Sequence, residues 1–143
     1  MGSPAVRARG VSPPAGPVAV ARVFALSADL LFGSRVQGAL SLAGHDVELI
    51  GDGSLLAERL SAAASEGQVP EVLVVDLTDG DLDGAGVVRS LLRGGELGAT
   101  RTLGFYSHVD VPARERAEWA GFDLVVPRSR MAREGVELVA GLL

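Results

Sequence analysis

The segment VLVVDLTDGDLDG, from Val72 to Gly84, holds the residues of this sequence whose types and spacing are best suited to chemistry. Its four leading apolar residues predict a buried strand, and Asp76 follows at the end of that strand. A carboxylate in such a place is a reactive group, the remnant of one, or simply a solvated residue at a strand end. The elements that position Asp76 must be known before these alternatives can be separated.

Three further aspartates alternate with other residues in the loop after Asp76. Asp79, Asp81 and Asp83 have a spacing that suggests calcium ligands. However, a calcium loop of the EF-hand type also needs a glutamate after the turn and a helix on each side. The favoured interpretation is therefore a polar loop that leads into a helix N-terminus, where negative side chains are stabilised.

The composition removes several other kinds of site. The 143 residues include no cysteine, which excludes disulfides, thiol nucleophiles and cysteine-bound metals. All thirteen basic residues are arginine, so no step can use a lysine ammonium group. With only two histidines, His45 and His108, a multi-histidine metal site is not expected. The net charge of −5 argues against nucleic acid as a partner, because phosphate neutralisation needs concentrated positive charge.

The chain shows no sign of membrane insertion or export. No apolar run approaches the roughly 20 residues needed to span a bilayer, and the N-terminus lacks the apolar region of a signal peptide. We therefore expect a cytoplasmic protein. Residues 1–19 hold four prolines and predict a flexible Pro-rich leader. Residues 20–143 are long enough for one domain with a sizeable core.

Within that domain, apolar runs alternate with segments whose apolar residues recur at three- and four-residue spacing. The predicted strands are Val20–Leu26, Asp46–Ile50, Glu71–Leu77, Thr102–Ser107 and Asp123–Val126, and the predicted helices are Phe32–Ala43, Ser54–Ser65 with Ser54 as N-cap, Ala85–Gly95, Val111–Gly121 and Met131–Leu142. This alternation predicts an α/β fold with a five-stranded parallel sheet covered on both faces. The functional crevice of such a sheet lies at the carboxyl ends of its strands.

In order and spacing, these segments resemble the receiver domain of two-component response regulators. The segment Arg22–Val47 lines up without gaps on the family's first strand, first helix and start of the second strand. Gly84 falls eight residues after Asp76, as in the family, and the segments GFYSHVD and AGFDLVVPRS fit the regions of the fourth and fifth strands. The resemblance covers nearly everything from Arg22 to Leu142. It implies the flavodoxin-like (βα)5 receiver architecture with strand order 2-1-3-4-5.

The chemistry that the resemblance implies is phosphorylation of an aspartate. Asp76 matches the phosphoacceptor, and Thr78 stands where the family offers a backbone carbonyl to Mg²⁺. Ser107 matches the hydroxyl that contacts the phosphate. The acidic pair that helps hold Mg²⁺ in the family is replaced here by Ser27 and Ala28.

Two charged residues near these positions extend the candidate site. Asp29 lies one position beyond the replaced acidic pair and is a candidate metal ligand beside Asp76 and Thr78, although it is also suited to cap the first helix. Arg128 falls at the position of the family's phosphate-pairing lysine, or Val126 does if Pro127 is taken as the proline that follows this lysine; the lysine is absent in either case. Because arginine forks well onto a carboxylate, a pair between Arg128 and Asp76 is one hypothesis. With Asp76 as the one secure carboxylate, we expect the Mg²⁺ site to be weak or lost.

Three functions follow from these residues. The leading hypothesis is an atypical, stand-alone receiver-like signalling domain with a degenerate phosphorylation site, which acts by binding a protein such as a histidine kinase or another signalling protein. Homodimerisation through the face formed by the fourth helix, fifth strand and fifth helix is one form of this, and Trp119 on that face is expected to be half-buried.

The two alternatives assign different roles to the aspartate-rich segment. One is a functional single-domain response regulator phosphorylated on Asp76, with an unusual Mg²⁺ site that uses Asp29 or Asp79. The other is an anti-sigma-factor antagonist (STAS) domain, although Asp83, Gly84 and Ala85 lack the serine that such domains phosphorylate. An enzymatic function is not expected, since no catalytic triad, P-loop or GxGxxG motif occurs in a suitable context.

Overall fold

The computed structural model describes residues 20–143, and the leader predicted for residues 1–19 lies outside the described residues. Strands and helices alternate strictly along the described chain. The strands are β1 (Arg22–Leu26), β2 (Asp46–Ile50), β3 (Val72–Asp76), β4 (Arg101–Tyr106) and β5 (Leu124–Pro127), and the helices are α1 (Leu30–Leu42), α2 (Gly53–Ser65), α3 (Gly84–Arg93), α4 (Val111–Ala120) and α5 (Arg128–Leu142).

The five strands form one parallel sheet in the order β2-β1-β3-β4-β5. In the register, Val23 of β1 lies beside Val47 of β2 on one side and Val72 of β3 on the other. The predicted fold class and the strand order 2-1-3-4-5 are therefore confirmed. Every residue of the central strand β3 is buried, as expected for a strand that is apolar on both faces.

The core consists of two layers, one on each face of the sheet. Leu73 and Val75 of β3 face the layer that α2, α3 and α4 cover, whereas Val72 and Val74 face the layer that α1 and α5 cover. Successive side chains of a strand point to opposite faces, so the carboxyl-end residue Asp76 continues the row on the α1/α5 side. That row brings its side chain toward α1 and α5 at the carboxyl edge of the sheet.

Four of the five helices begin at this edge with an aspartate cap. Asp29, Asp52, Asp83 and Asp110 cap α1, α2, α3 and α4, and each accepts a hydrogen bond from a backbone N–H of the first turn. The prediction that Ser54 caps α2 is wrong, because Asp52 accepts from the N–H of Leu55 at 2.8 Å and the helix begins at Gly53. Aspartate and serine have similar preferences for the N-cap position, so the sequence alone does not distinguish Asp52 from Ser54; the backbone conformation before α2 does.

Helix α5 begins directly after Pro127, without a side-chain cap, and departs from helical geometry once along its length. The break is at Glu134, where φ is −126° and ψ is 17°. Gly135 follows the break and faces the side chain of Met131. The irregular turn therefore lies on the part of α5 that packs beside α1, and a cleft between the two helices opens at this level.

Candidate functional site

The carboxylate of Asp76 is buried at the end of β3 and is held by neutral donors. Asp76 is 1% exposed. Its Oδ2 accepts a hydrogen bond from the Ser27 hydroxyl at 2.8 Å. Its Oδ1 accepts two from Thr78, one from the backbone N–H at 2.8 Å and one from the hydroxyl at 2.5 Å. Dipoles of hydroxyl and amide groups, rather than a cation, therefore compensate this carboxylate for its lost hydration.

The two residues that replace the family's acidic pair differ in their surroundings. Ser27 is 2% exposed. Its hydroxyl donates a hydrogen bond to Asp76 and accepts one from the backbone N–H of Asp29 at 3.2 Å. Ala28 is exposed and carries no group that can bind a ligand. The replacement thus supplies one hydrogen-bond donor for Asp76 and no second carboxylate.

Asp29 caps α1 and also forms an ion pair with Arg128. Its Oδ1 accepts hydrogen bonds from the N–H groups of Leu31 and Phe32 at 3.1 and 3.0 Å. Its Oδ2 lies 3.1 Å from Nη2 of Arg128, whose guanidinium stacks over the Phe32 ring at 4.1 Å from the centroid. The expectation that Asp29 caps the first helix is confirmed. The pair between Arg128 and Asp76 is not found, because Asp29 and the Phe32 ring hold the guanidinium at the start of α1.

The Asp29 carboxyl is more acidic in the folded protein than an ordinary aspartate. The hydrogen bond from the Phe32 N–H lowers its pKa from the ordinary value of 3.8. Partial desolvation raises the pKa, but the Arg128 guanidinium and the Leu31 N–H lower it further, so the net change is downward. A depressed folded-state pKa means that the charged form stabilises the fold. This contribution is fully present above the unfolded-state pKa and is lost as the pH falls through the folded-state pKa.

Asp29→Asn is therefore expected to remove an acid-sensitive part of the stability. The asparagine keeps an oxygen that can cap α1 but loses the charge that pairs with Arg128. Urea unfolding followed by circular dichroism, repeated from neutral pH into the acid range, measures the free energy of unfolding of both proteins. The difference between them should be constant at neutral pH and should shrink below the ordinary aspartate pKa of 3.8. A difference independent of pH would contradict this role of the Asp29 charge.

An open groove of about 360 Å³ lies at the carboxyl edge of the sheet, where Thr78, the hydrogen-bond partner of Asp76, is one of its lining residues. We call it the arginine groove; its lining residues are Phe32, Arg35, Thr78, Ser107, His108, Arg128, Ser129 and Ala132. The sequence predicted that Thr78, Ser107 and Arg128 would come together, and the structure places all three on this groove. Sequence reasoning missed Arg35 and Ser129. Their signals were the spacing of Arg35 one turn after Phe32 on α1 and the position of Ser129 in the first turn of α5.

Comparison with solved structures relates this arrangement to known proteins. The signal receiver domain of the response regulator NarL from Mycobacterium tuberculosis is similar with a TM-score of 0.68 and 26% sequence identity, over 85% of this chain and 94% of that chain. The chemotaxis response regulator CheY4 of Vibrio cholerae is similar with a TM-score of 0.68 and 17% identity, over 87% of this chain and 100% of that chain. The phosphorylated cyanobacterial phytochrome response regulator RcpA gives a TM-score of 0.67 at 16% identity, over 87% and 91% of the two chains.

The chain has the fold of a response-regulator receiver domain. No protein-family model and no curated protein matches the sequence itself. The receiver fold confirms the architecture that the resemblance implied, and it accounts for the order in which the strands deliver Ser27, Asp76 and Ser107 to one edge.

The receiver fold implies a Mg²⁺ ion beside the central aspartate, but the residues present here do not fit one. Mg²⁺ requires near-octahedral oxygen ligands, usually with one or two protein carboxylates. Among residues 20–143, Asp76 is the carboxylate that the strand ends deliver to this place, and its two oxygens already accept three hydrogen bonds. Asp29 is turned toward α1 and Arg128 instead. Within residues 20–143, no group of three or more His, Asp or Glu side chains is arranged to hold a metal ion.

The aspartate-rich loop of the receiver fold leads into α3, as the sequence predicted. Asp83 adopts a left-handed conformation with φ of 47°, and its side chain accepts a hydrogen bond from the N–H of Gly86 at 3.3 Å. Asp79 accepts from the N–H of Asp81 at 2.9 Å. These carboxylates therefore stabilise the turn and the helix start.

Three other residues singled out in the sequence lie in different environments. His45 is 5% exposed, and its Nδ1 accepts a hydrogen bond from the Ala21 N–H at 3.0 Å, which ties the start of β1 to the connection before β2. His108 is exposed and lines the arginine groove. The expectation that Trp119 is half-buried is wrong, since it is 79% exposed. Helix α4 buries only small side chains, and Trp119 lies on its outer side.

No helix in the part of the chain that the structure describes has both the length and the apolar character required to cross a membrane.

Proposed function

We propose that this protein is a cytoplasmic receiver-like signalling domain of a two-component system that acts by binding another protein, without Mg²⁺-dependent phosphotransfer and without catalytic activity of its own. The observation that carries the proposal is the environment of Asp76. Asp76 is 1% exposed, and each oxygen of its carboxylate accepts a hydrogen bond, one from Ser27 and the other from Thr78. The carboxylate is thus a structural acceptor in the state described here.

Transfer of a phosphoryl group to Asp76 would need cations that this site does not offer. The charge on a transferring phosphoryl group is spread over three oxygens, and catalysis consists mainly of neutralising it in a positioned way. The acidic pair that would bring a metal is replaced by Ser27 and Ala28. The guanidinium of Arg128, which stands at the lysine position, is shared with Asp29 at 3.1 Å. The metal that would neutralise the phosphoryl group therefore lacks its ligands, and the cation that would do so is paired with Asp29.

The surface that supports protein binding is the outer side of α4. Trp119 near the end of α4 is 79% exposed, and Val111 in the first turn of the helix and Val109 just before it are 50% and 75% exposed. Tryptophan side chains are enriched where proteins bind each other, so an exposed indole supports a binding role for this surface. We propose this surface for a histidine kinase or another signalling protein, or for a second copy of the chain through α4, β5 and α5.

A working phosphoacceptor is the second candidate function. The observation that favours it is the hydroxyl of Ser107, which lies on the arginine groove together with Thr78. In this alternative the hydrogen bonds to Asp76 would open to admit Mg²⁺ and a phosphoryl group. The all-parallel sheet in the order 2-1-3-4-5 favours either receiver hypothesis over the anti-sigma-factor antagonist alternative.

Beryllofluoride, a phosphoryl mimic, separates the two candidates. We expect that millimolar Mg²⁺ with beryllofluoride leaves the backbone amide NMR spectrum unchanged, because Asp76 has no metal partner and its oxygens are occupied. The matched control is Asp76→Ala, treated in the same way. Amide shifts that require Asp76 and spread through Ser107 and α4 would instead establish a working phosphoacceptor. Shifts that persist in Asp76→Ala would reflect weak binding elsewhere and would leave the proposal standing.

A further inference from the structure

We propose that the arginine groove and the adjoining α1–α5 cleft form one binding site for a small organic anion, with a phosphonate, phosphate or carboxylate head and an apolar body. The site binds such a ligand reversibly and without metal. The inference goes beyond the proposed function and does not depend on it, because none of the contacts involved requires a reaction at Asp76.

The first observation is that the two cavities adjoin, because three residues line both of them. The α1–α5 cleft measures about 190 Å³ and is lined by Val36, Ala39, Leu40, Met131, Gly135 and Val136, together with Arg133 and three residues that also line the arginine groove. The three shared residues are Phe32, Arg35 and Ala132. A ligand can therefore occupy the polar groove with one end and the apolar cleft with the other. Each cavity alone is near or below the lower end of the range for small-molecule pockets.

The second observation is the charge of the lining. Arg35, Arg128 and Arg133 contribute three guanidinium groups, and no carboxylate lines either cavity in the described part of the chain. The chain as a whole carries a net charge of −5, so this concentration of positive charge runs against the average of the protein. A concave site lined by one sign of charge attracts ligands of the opposite sign.

The third observation is that one of these guanidiniums remains available to a ligand. Arg128 pairs with Asp29, and Arg133 lies 3.5 Å from Glu134. Within residues 20–143, Arg35 takes part in no ion pair of this kind. It lies at the boundary between groove and cleft, and hydroxyl groups of Ser107 and Ser129 line the groove beyond it. Guanidinium and hydroxyl donors together are the groups that bind oxyanions best.

The apolar end of the site is formed by the irregular turn of α5. Because α5 departs from helical geometry at Glu134 and Gly135 carries no side chain, the two helices leave space between them at this level. Leu40 and Met131 form the buried floor of that space. An apolar ligand body placed there would remove from water the apolar surface that the cleft now exposes.

The test uses benzylphosphonate, which has an anionic head and an aromatic body. Its C–P bond cannot deliver a phosphoryl group to Asp76, so its binding is independent of any phosphotransfer. Methylphosphonate supplies the head alone, and benzyl alcohol supplies the ring alone. In buffer with EDTA, amide NMR titrations should show saturable shifts at Ser107, Ser129 and Ala132. We expect benzylphosphonate to bind about tenfold more tightly than methylphosphonate, and benzyl alcohol to bind most weakly.

Three variants assign the effect to the site. Arg35→Gln should weaken benzylphosphonate binding by about tenfold or more, since it removes a charge-assisted hydrogen bond. Arg89→Gln makes the same charge change on α3, which covers the other face of the sheet, and should leave the affinity unchanged. Ala39→Phe fills the cleft from an exposed position and should weaken benzylphosphonate while leaving methylphosphonate unaffected.

Some results would overturn the inference. One is the absence of saturable shifts up to about 10 mM benzylphosphonate, a concentration that would detect even millimolar affinity. Another is an equal loss of affinity in Arg35→Gln and Arg89→Gln, which would indicate attraction by overall charge. Equal affinities for benzylphosphonate and methylphosphonate would refute the role of the cleft. A negative beryllofluoride experiment bears on none of these outcomes, so the two proposals fail separately.

Discussion

Replacing Gly84 with alanine is expected to lower the free energy of unfolding by about 3 kcal/mol, near the upper end of the usual effect of overpacking. A Cβ atom at this position would lie 2.6 Å from Cγ1 of Val75, 3.1 Å from the carbonyl oxygen of Asp76 and 3.2 Å from Cδ2 of Leu77. All three neighbours belong to the end of β3 or the residue after it, where Val75 is fully buried. The start of α3 can therefore approach the sheet this closely only with glycine.

Gly38→Ala is the matched control. Gly38 lies within α1, and no atom comes within 4 Å of the place its Cβ would occupy. This substitution should raise the free energy of unfolding by about 0.5–1 kcal/mol, because alanine favours the helix. Urea unfolding followed by circular dichroism measures both variants. If Gly84→Ala proved as stable as the wild-type protein, the close approach of α3 to β3 would have to be wrong.

Ala28→Asp is expected to give the protein a Mg²⁺ affinity at least about tenfold higher than that of the wild-type chain. Ala28 is exposed and directly follows Ser27, whose hydroxyl contacts Asp76, so a carboxylate there has room and lies at the right edge of the sheet. Without metal, the additional negative charge near Asp76 should destabilise the fold slightly. With Mg²⁺, the ion should join the two carboxylates and raise the melting temperature, because a ligand of the folded state stabilises it.

Ser61→Asp makes the same charge change at an exposed position of α2, far along the chain from the site, and should show no response to Mg²⁺. Adding Asp76→Asn to Ala28→Asp should abolish the response. Thermal unfolding with and without Mg²⁺, compared among these proteins, is the measurement. A wild-type protein that is already stabilised by Mg²⁺ as strongly as Ala28→Asp would show that the native site holds the ion, and the proposed function would fail.

The fold was predictable because its signals are local and repeated. The apolar run Val72–Val75 is buried on both faces and marks the central strand, and the alternation of strands with helices determines a parallel sheet. The side-chain period of two along β1, β3 and β4 then places Ser27, Asp76 and Ser107 in rows on the same side. The glycine at position 84 could also be predicted locally, because the start of α3 must lie close to the end of β3 eight residues after Asp76.

The details of the candidate site were less predictable because they depend on competition between partners. The sequence offered Asp76 and Asp29 as carboxylate partners for Arg128. Asp29 forms the ion pair, because it is held at the N-terminus of α1 and the guanidinium also stacks on the Phe32 ring. The role of Arg35 depends on a cleft that exists only where α5 departs from helical geometry at Glu134. Neither outcome has a signature within a short stretch of sequence.

The exposure of Trp119 also determines what this protein's fluorescence can report. It is the one tryptophan of the chain, and its indole lies in water on α4 in the folded state. Its emission is therefore already close to that of an unfolded chain, so the loss of the core leaves little spectral trace. A partner that covers α4 would move the indole into an apolar environment and shift its emission to the blue. The tryptophan is thus a natural probe of this surface rather than of the interior.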